Sequence, residues 1–331
     1  MLLDESTALD YLRSRGVDVS GHETVRELTG GVSNVALAVT GGPRDLVVKQ
    51  ALARLRVADE WLAPVERIDA EAAALRLAAE VAPHAVPPVI DFDGDRHVVS
   101  LDHAPPGWVD WKTRMMRAEW IPGVAEGIGS ALARWHALGP GAIPEQITGQ
   151  ADAFESLRLD PYHRTVAARL PEVADALADV IASLQLRQTL VHGDLSPKNV
   201  LVGPEAQFWV IDWEVAHLGN PVFDQAFLLS HLLLKHLHVP ELRRVLPGAG
   251  AGFLDAYVTA GGRATADGPA LSRHIGALLL ARVAGKSQAG YLEEHERLAV
   301  SRAGIALLTG PELDVPAAFD LILSTHDEES R

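Results

Sequence analysis

Cysteine is absent from all 331 residues. That absence excludes disulfides, thiolate metal sites and cysteine nucleophiles together, and it fits a reducing compartment. Long apolar runs are missing too: none approaches the ~20 residues that a bilayer crossing needs. The start, MLLDESTALDYLRSRG, has early acids and no long apolar core, so it does not read as a signal peptide. A cytoplasmic protein without membrane contact is expected. Basic residues are in deficit, 29 Lys and Arg against 44 Asp and Glu, for a net charge of −15. Such a field disfavours nonspecific binding to nucleic acid; it either attracts cations or keeps the chain soluble. His-Glu-x-x-His does not occur among the 14 histidines, which argues against a metal hydrolase. Gly285-Lys286-Ser287 ends like a phosphate-binding P-loop, but the earlier glycine would fall at Leu280 and no strand precedes the run, so that reading fails.

What is present is an ordinary globular composition, 48% hydrophobic and 22% charged, long enough for one large or two modest domains. The most informative stretch runs from Thr189 to Asp224. Leu190 and Val191 read as strand, residues 192–199 as polar loop, and Val200–Val202 and Phe208–Ile211 as a hairpin closed by Gly203-Pro204-Glu205-Ala206. A register centred on that turn sets Val202 opposite Trp209 and Asn199 opposite Asp212. Two oxygen-bearing side chains then meet at the open end, with Asp194 five residues upstream of Asn199. Phosphoryl transfer needs such a set: magnesium takes hard oxygen ligands, here Asn199 and Asp212, and a separate base, Asp194, accepts the proton of the attacking hydroxyl. Singly, each of the three also suits a turn.

In the first third, Ser6 to Arg15 predicts a short amphipathic helix, and two strands flank the turn Gly30-Gly31-Val32-Ser33-Asn34. Such a turn lets backbone amides approach phosphate oxygens, although most are only turns. Lys49 sits in the apolar strand Asp45–Gln50 and needs a partner. From Pro64 onward a helix is predicted whose inward stripe is Ile68, Ala72, Leu75 and Ala79, and Glu71 shares that face. Pairing with Lys49 is the economical reading, since a lone inward carboxylate costs several kcal/mol; a snorkelling Glu71 is the alternative. Two further strands, Val89–Asp93 and His97–Leu101, complete a five-strand sheet, and a linker-like segment follows at 102–107. The rest reads as helical, with His136 a core or capping residue, residues 154–164 lining a pocket or packing helices, and a central apolar helix beyond Phe223.

These residues carry a resemblance. His192-Gly193-Asp194-Leu195 followed by Asn199, with Asp212-Trp213-Glu214, resembles the catalytic loop and metal motif of the aminoglycoside phosphotransferase and choline kinase families, relatives of protein kinases. The resemblance implies an α+β, bilobal, protein-kinase-like fold: a small antiparallel-sheet lobe with one main helix at 1–102, and a larger, mostly helical lobe at 103–331. It implies ATP and Mg2+ as cofactors, Asp194 as base, Asn199 and Asp212 as metal ligands, and Glu214 as a second metal or water contact. Lys49, Glu71, Gly30, Gly31 and Ser33 would serve the phosphates, Ser100 and Asp102 the nucleotide near the hinge. His192 and Asp224 would support the loop; for Asp224 a plain carboxylate in a first helical turn is the alternative. Val48 to Leu52, Leu55-Arg56-Val57, Trp61 and Glu66-Arg67-Ile68 resemble methylthioribose kinases, whereas Ser196-Pro197-Lys198-Asn199 is closer to the general phosphotransferase form. A sugar such as methylthioribose is therefore the expected acceptor, with aminoglycosides and amino alcohols as alternatives and a non-catalytic nucleotide-binding protein as the second class. Arg282 and Lys286 would reach the acceptor, or else stabilise a helix C-terminus. The oligomer is expected to be a monomer or homodimer.

Overall fold

The structure is a computed structural model that describes residues 2–28, 34–54, 64–263 and 270–329, with side chains as far as residue 326. Helix α1 (Ala8–Ser14) precedes β1 (Thr24–Glu27), β2 (Asn34–Thr40) and β3 (Leu46–Ala51); α2 (Arg67–Val81), β4 (Val89–Asp93) and β5 (Val98–Asp102) follow. The five strands form one antiparallel sheet in the order β1-β2-β3-β5-β4. The strands are rich in β-branched residues, and each sends successive side chains to opposite faces. On one face Val35, Leu37, Val39, Leu46, Val48 and Val98 pack with Leu3, Tyr11 and Leu12 beneath α1. On the other, Val99 and Leu101 join Ile68, Ala72 and Leu75 of α2. Helix α2 begins at Arg67 rather than Pro64, because Val65 and Glu66 form a turn whose carbonyls accept from Ile68 and Asp69.

Beyond the sheet come β6 (Val109–Asp110), α3 (Trp111–Met116) and α4 (Val124–His136), then short helical turns, a π-helical segment Glu155–Arg164 and α5 (Ala174–Leu184). Strands β7 (Thr189–Val191), β8 (Val200–Val202), β9 (Phe208–Val210) and β10 (His217–Gly219) lead into α6 (Val222–His238). Helices α7 (Leu246–Thr259), α8 (Leu271–Ala284), α9 (Glu294–Thr309) and α10 (Val315–Glu329) complete the chain. Helix α6 is buried nearly all round, as its apolar circumference predicts. Among the described residues no helix is long and apolar enough to cross a membrane.

The β8–β9 hairpin corrects the expected register. Val202 faces Phe208 rather than Trp209, and the carbonyl of Asn199 accepts from Ile211, not Asp212. The loop closes through Gly203 N–H to the Gln207 carbonyl, with Glu205 and Ala206 both in the left-handed region. Three residues thus make the turn, and pairing moves by one position.

Burial also sets an acid limit. It pushes His163 down to about 3 and His217 and His274 each to about 4, against an ordinary value near 6.5. Below that ordinary value the unfolded chain binds protons that the folded chain refuses, so this stability is full above pH ~6.5 and drains as pH falls toward the folded values. We expect a cumulative loss of a few kcal/mol between about pH 6.5 and 5, read from denaturant midpoints; a midpoint flat across that range would contradict it.

Candidate functional site

The site is assembled on the β7–β8 loop. Asp224, in the first turn of α6, is fully buried and accepts the backbone N–H of His192 at 2.7 Å and of Gly193 at 2.9 Å. Burial drives its pKa up, but His136, 3.3 Å away, and these donors outweigh it and hold it below the usual carboxylate range. His136 is tied on its other nitrogen to the Tyr257 hydroxyl at 3.0 Å, a packed position beneath the loop. His192 accepts from the Asp194 N–H through Nδ1 (3.0 Å) and reaches the Ile211 carbonyl through Nε2 (3.0 Å). That pairing requires the neutral Nε2–H tautomer, and burial lowers the His192 pKa accordingly. Gly193 has φ +78°, and a Cβ there would come within 2.6 Å of the Val215 carbonyl oxygen. Only glycine fits both demands.

The Asp194 carboxylate is partnered on one oxygen. Its Oδ2 meets Asn199 Nδ2 at 2.8 Å, Arg158 Nη2 at 3.0 Å and Lys198 Nζ at 3.4 Å. Oδ1 takes no donor among the described residues, and it is not sealed from solvent. Burial raises the Asp194 pKa, yet Arg158 and Lys198 overcome that effect and keep it ionised. Asn199 also gives its amide to the Asp194 carbonyl at 2.9 Å, which orients the group and leaves Oδ1 as an oxygen donor. Arg158 was not singled out from the sequence. It lies in the π-helical segment, where ordinary helical spacing does not apply, and its Nε donates to the Gly193 carbonyl at 2.6 Å.

Lys49 descends from β3 on the face opposite Val48. Its Nζ lies 2.6 Å from Glu71 Oε1 and 2.8 Å from Asp212 Oδ1. Burial alone would lower the lysine pKa; Asp212, Glu71 and Glu214 raise it well above normal. Glu71 is pushed up by burial, because Lys49 satisfies only one of its oxygens and Oε2 is buried without a partner. Asp212 stands at φ +69°, a conformation uncommon for a non-glycine residue, and this turn lets it leave the hairpin toward Lys49. Burial opposes its charge, but Lys49 and Lys198 hold it strongly acidic.

The other expected residues have these partners. Glu214 Oε2 accepts from Arg67 Nε at 3.1 Å and from Asn34 Nδ2 at 3.1 Å, so it links α2 and β2 to the larger lobe. Arg67 is fully buried, a feature the charged start of a helix did not advertise. Ser100 pairs opposite Val48 and Lys49 opposite Val99, so strand alternation sends the buried Ser100 side chain to the α1 face, away from Lys49. Asp102 ends β5 with its N–H bonded to the Pro88 carbonyl at 2.9 Å, and His103 N–H is taken by Asp45. Lys286 forms an exposed pair with Asp160 at 2.7 Å, whereas Arg282 bonds Tyr162 and Ser287. Gly30, Gly31 and Ser33, and Leu55, Arg56, Val57 and Trp61, lie outside the described residues.

Among the described residues no group of three or more His, Cys, Asp or Glu side chains is placed to hold a metal unaided. Asn199 Oδ1 and the Asp212 carboxylate nevertheless suit magnesium, which is commonly held by one or two protein oxygens together with phosphates. Replacing Asp224 with Ala strands two buried N–H groups and removes the partner of His136, so Asp224→Ala is expected to cost about 2–5 kcal/mol in denaturant unfolding; a cost within error of zero would remove the carboxylate as the loop's support.

Methylthioribose kinase of Bacillus cereus is 25% identical over 271 residues, covering 73% of this chain and 68% of that protein. The fold is similar to spectinomycin phosphotransferase in complex with ADP and spectinomycin, with TM-score 0.54 at 13% identity over 100% of this chain and 99% of that one. It is also similar to macrolide 2'-phosphotransferase from Brachybacterium faecium, with TM-score 0.51 at 24% identity over 93% and 100% of the two chains. Both likenesses speak to the two-lobed, protein-kinase-like fold. Residues 24–271 match the family profile described as phosphotransferase enzyme family, and the chain belongs to that family.

Proposed function

We propose that the protein moves the γ-phosphoryl group of ATP to a hydroxyl of a small molecule. One observation carries the reading: Asp194 has all three protein partners on Oδ2 while Oδ1 stays open, beside an Asn199 and an Asp212 that each keep an oxygen for a cation. A non-catalytic nucleotide-binding protein has no use for an ionised carboxylate kept open on one side.

On this reading residues 1–102 form the nucleotide lobe and 103–331 the acceptor lobe. Lys49, steadied by Glu71, engages the phosphates, and the backbone beyond Asp102 meets the adenine. Asp194 Oδ1 accepts the hydroxyl hydrogen and aligns the oxygen for in-line attack. The new O–P bond forms as the bond to the β-phosphate oxygen breaks, ADP departs, and the proton ends on Asp194 before passing to solvent. Arg158 and Lys198 depress the basicity of Asp194, so it serves more to orient the nucleophile than to strip its proton early; a loose phosphoryl-transfer transition state asks for little more. Magnesium, on Asn199 and Asp212, would supply positive charge to the transferring phosphates. The acceptor we favour is a sugar-type hydroxyl compound. Methylthioribose heads the trial panel because of the Bacillus cereus relative.

Magnesium-dependent ADP formation across sugars, methylthioribose, aminoglycosides and amino alcohols tests the reading. Asp194→Ala is expected to lower kcat about 10²–10⁴-fold while ATP still binds; full turnover by that variant would sink the assignment. Arg158→Gln frees the oriented carboxylate and is expected to lower kcat about 10–100-fold, with little change in KM for ATP. An unchanged kcat would leave Arg158 a packing residue only.

A further inference from the structure

Along α6 from Asp194 the protein gathers cations that no carboxylate among the described residues answers. Lys235 is 1% exposed, and its single polar partner among the described residues is the Tyr291 hydroxyl at 2.5 Å. Its ammonium also stands 4.0 Å from the Tyr291 ring centroid, and Lys112 lies 5.8 Å from the same centroid. A phenol that accepts from Lys235 still has its own proton to donate. Arg282 uses Nη1 on Tyr162 and Ser287, while its Nε is buried without an acceptor. The carboxylates nearby are occupied elsewhere: Glu296 by His238 at 3.0 Å and by the Glu293 N–H, Asp160 by Lys286. Burial and the neighbouring Lys112 and Arg282 push the Lys235 pKa down to about 7, with no anion to hold it up. Keeping a nearly fully buried lysine charged in this position is costly unless a negative charge arrives from outside.

The cluster is continuous with the reacting carboxylate. Arg158, 3.0 Å from Asp194, lies over the rings of Tyr162 and Phe227. Phe227, His231 and Lys235 follow at four-residue spacing along one stripe of α6, with the His231 ring 5.2 Å from Phe227. Eight residues, a little over two helical turns, separate the ends of that stripe, roughly 12 Å.

We propose that the acceptor of this kinase is an acid, a hydroxyl compound whose carboxylate or phosphate ester is bound by Lys235, Tyr291, Arg282 and Lys112 while its hydroxyl reaches Asp194. The inference rests on the kinase reading and narrows its acceptor. Cationic aminoglycosides and amino alcohols are repelled here, and a neutral thiosugar offers these donors hydroxyl acceptors but no charge. A sugar acid or sugar phosphate long enough to span the stripe satisfies both ends.

Two measurements on the full chain test it. In the first, Mg2+-dependent ADP formation is compared for matched acceptors: a sugar, the same sugar oxidised to a carboxylate, the same sugar carrying a phosphate ester, and an amino sugar. We expect one acidic form to lead in kcat/KM by about 100-fold, the two acidic arms telling carboxylate from phosphate. Lys235→Met and Arg282→Gln should each raise its KM about 10-fold or more. A neutral or cationic acceptor in the lead overturns the proposal. In the second, inorganic phosphate replaces chloride at matched ionic strength, and Tm is read. Phosphate should raise Tm by about 2 °C in the wild type and in Lys49→Met, but not in Lys235→Met. Lys235→Met is expected to remain folded, because it exchanges a buried, unanswered charge for an apolar chain of similar length. Equal protection of Lys235→Met and wild type, or no protection of the wild type, overturns the proposal whatever the acceptor panel gives. Protection of this pattern with no turnover on any acceptor would instead defeat the kinase reading and leave the anion site standing.

Discussion

One lysine shared between two carboxylates holds the working half of this molecule together. Glu71 reaches Lys49 from α2 and Asp212 reaches it from the end of the β8–β9 hairpin, so a single ammonium couples the small sheet to the larger lobe. The arrangement is expensive in isolation. Glu71 has no exposure and one unsatisfied oxygen, and two acids compete for one cation. Removing one member of such a set costs about 3–5 kcal/mol because it strands the others. On the proposed reading such a site is poised for more charge: phosphates would bring negative groups to Lys49, and a cation would relieve Asp212 of its dependence on the lysine.

The loop from His192 to Asn199 is over-determined from below. Asp224 gathers two consecutive backbone N–H groups, His192 bonds at both ring nitrogens, and Trp213 packs edge-on to Trp135 with ring centroids 4.9 Å apart. Each contact removes a degree of freedom from Asp194. Preorganisation of this sort is what phosphoryl transfer asks of a protein, since positioning and electrostatics supply most of the catalysis. The second tie between lobes, Arg67 and Asn34 on Glu214, keeps that carboxylate turned toward the sheet. Glu214, expected as a second metal or water contact, is held as a brace through Oε2.

Charge is distributed against the average of the chain. A net charge of −15 suggests a surface that welcomes cations. Around Asp194, however, Arg158 and Lys198 are in contact with the carboxylate, and Lys235, Arg282 and Lys112 continue the positive stretch along α6. Summed charge says little about a pocket. Screening reduces surface charges beyond about 8 Å at physiological salt, whereas buried groups act at full strength on what they touch.

Local order was legible wherever the chemistry is local. The period-two strands, the helix with Glu71 on its inward face, the loop from His192 to Asn199 and the apolar α6 all follow from spacing and residue type, because neighbours in sequence set those patterns. The hairpin register was not, since Glu205 and Ala206 enter the left-handed region and shorten the turn by a residue that no hydrophobic pattern marks. Ser100 was assigned to the nucleotide by its place in the chain, yet pairing with Val48 turns it to the far face of the sheet. Arg158 carried no signal of its own in the sequence, Arg67 only its place in Glu66-Arg67-Ile68, and Lys235 again none. They became a clamp on Asp194, a buried brace and an unanswered cation only when a π-helical segment, the start of α2 and the middle of α6 were folded against elements far away in sequence. Motif and periodicity, which act over a few residues, determined the kind of chemistry; burial and the company each charge keeps, which exist only in three dimensions, decided which charges take part in it.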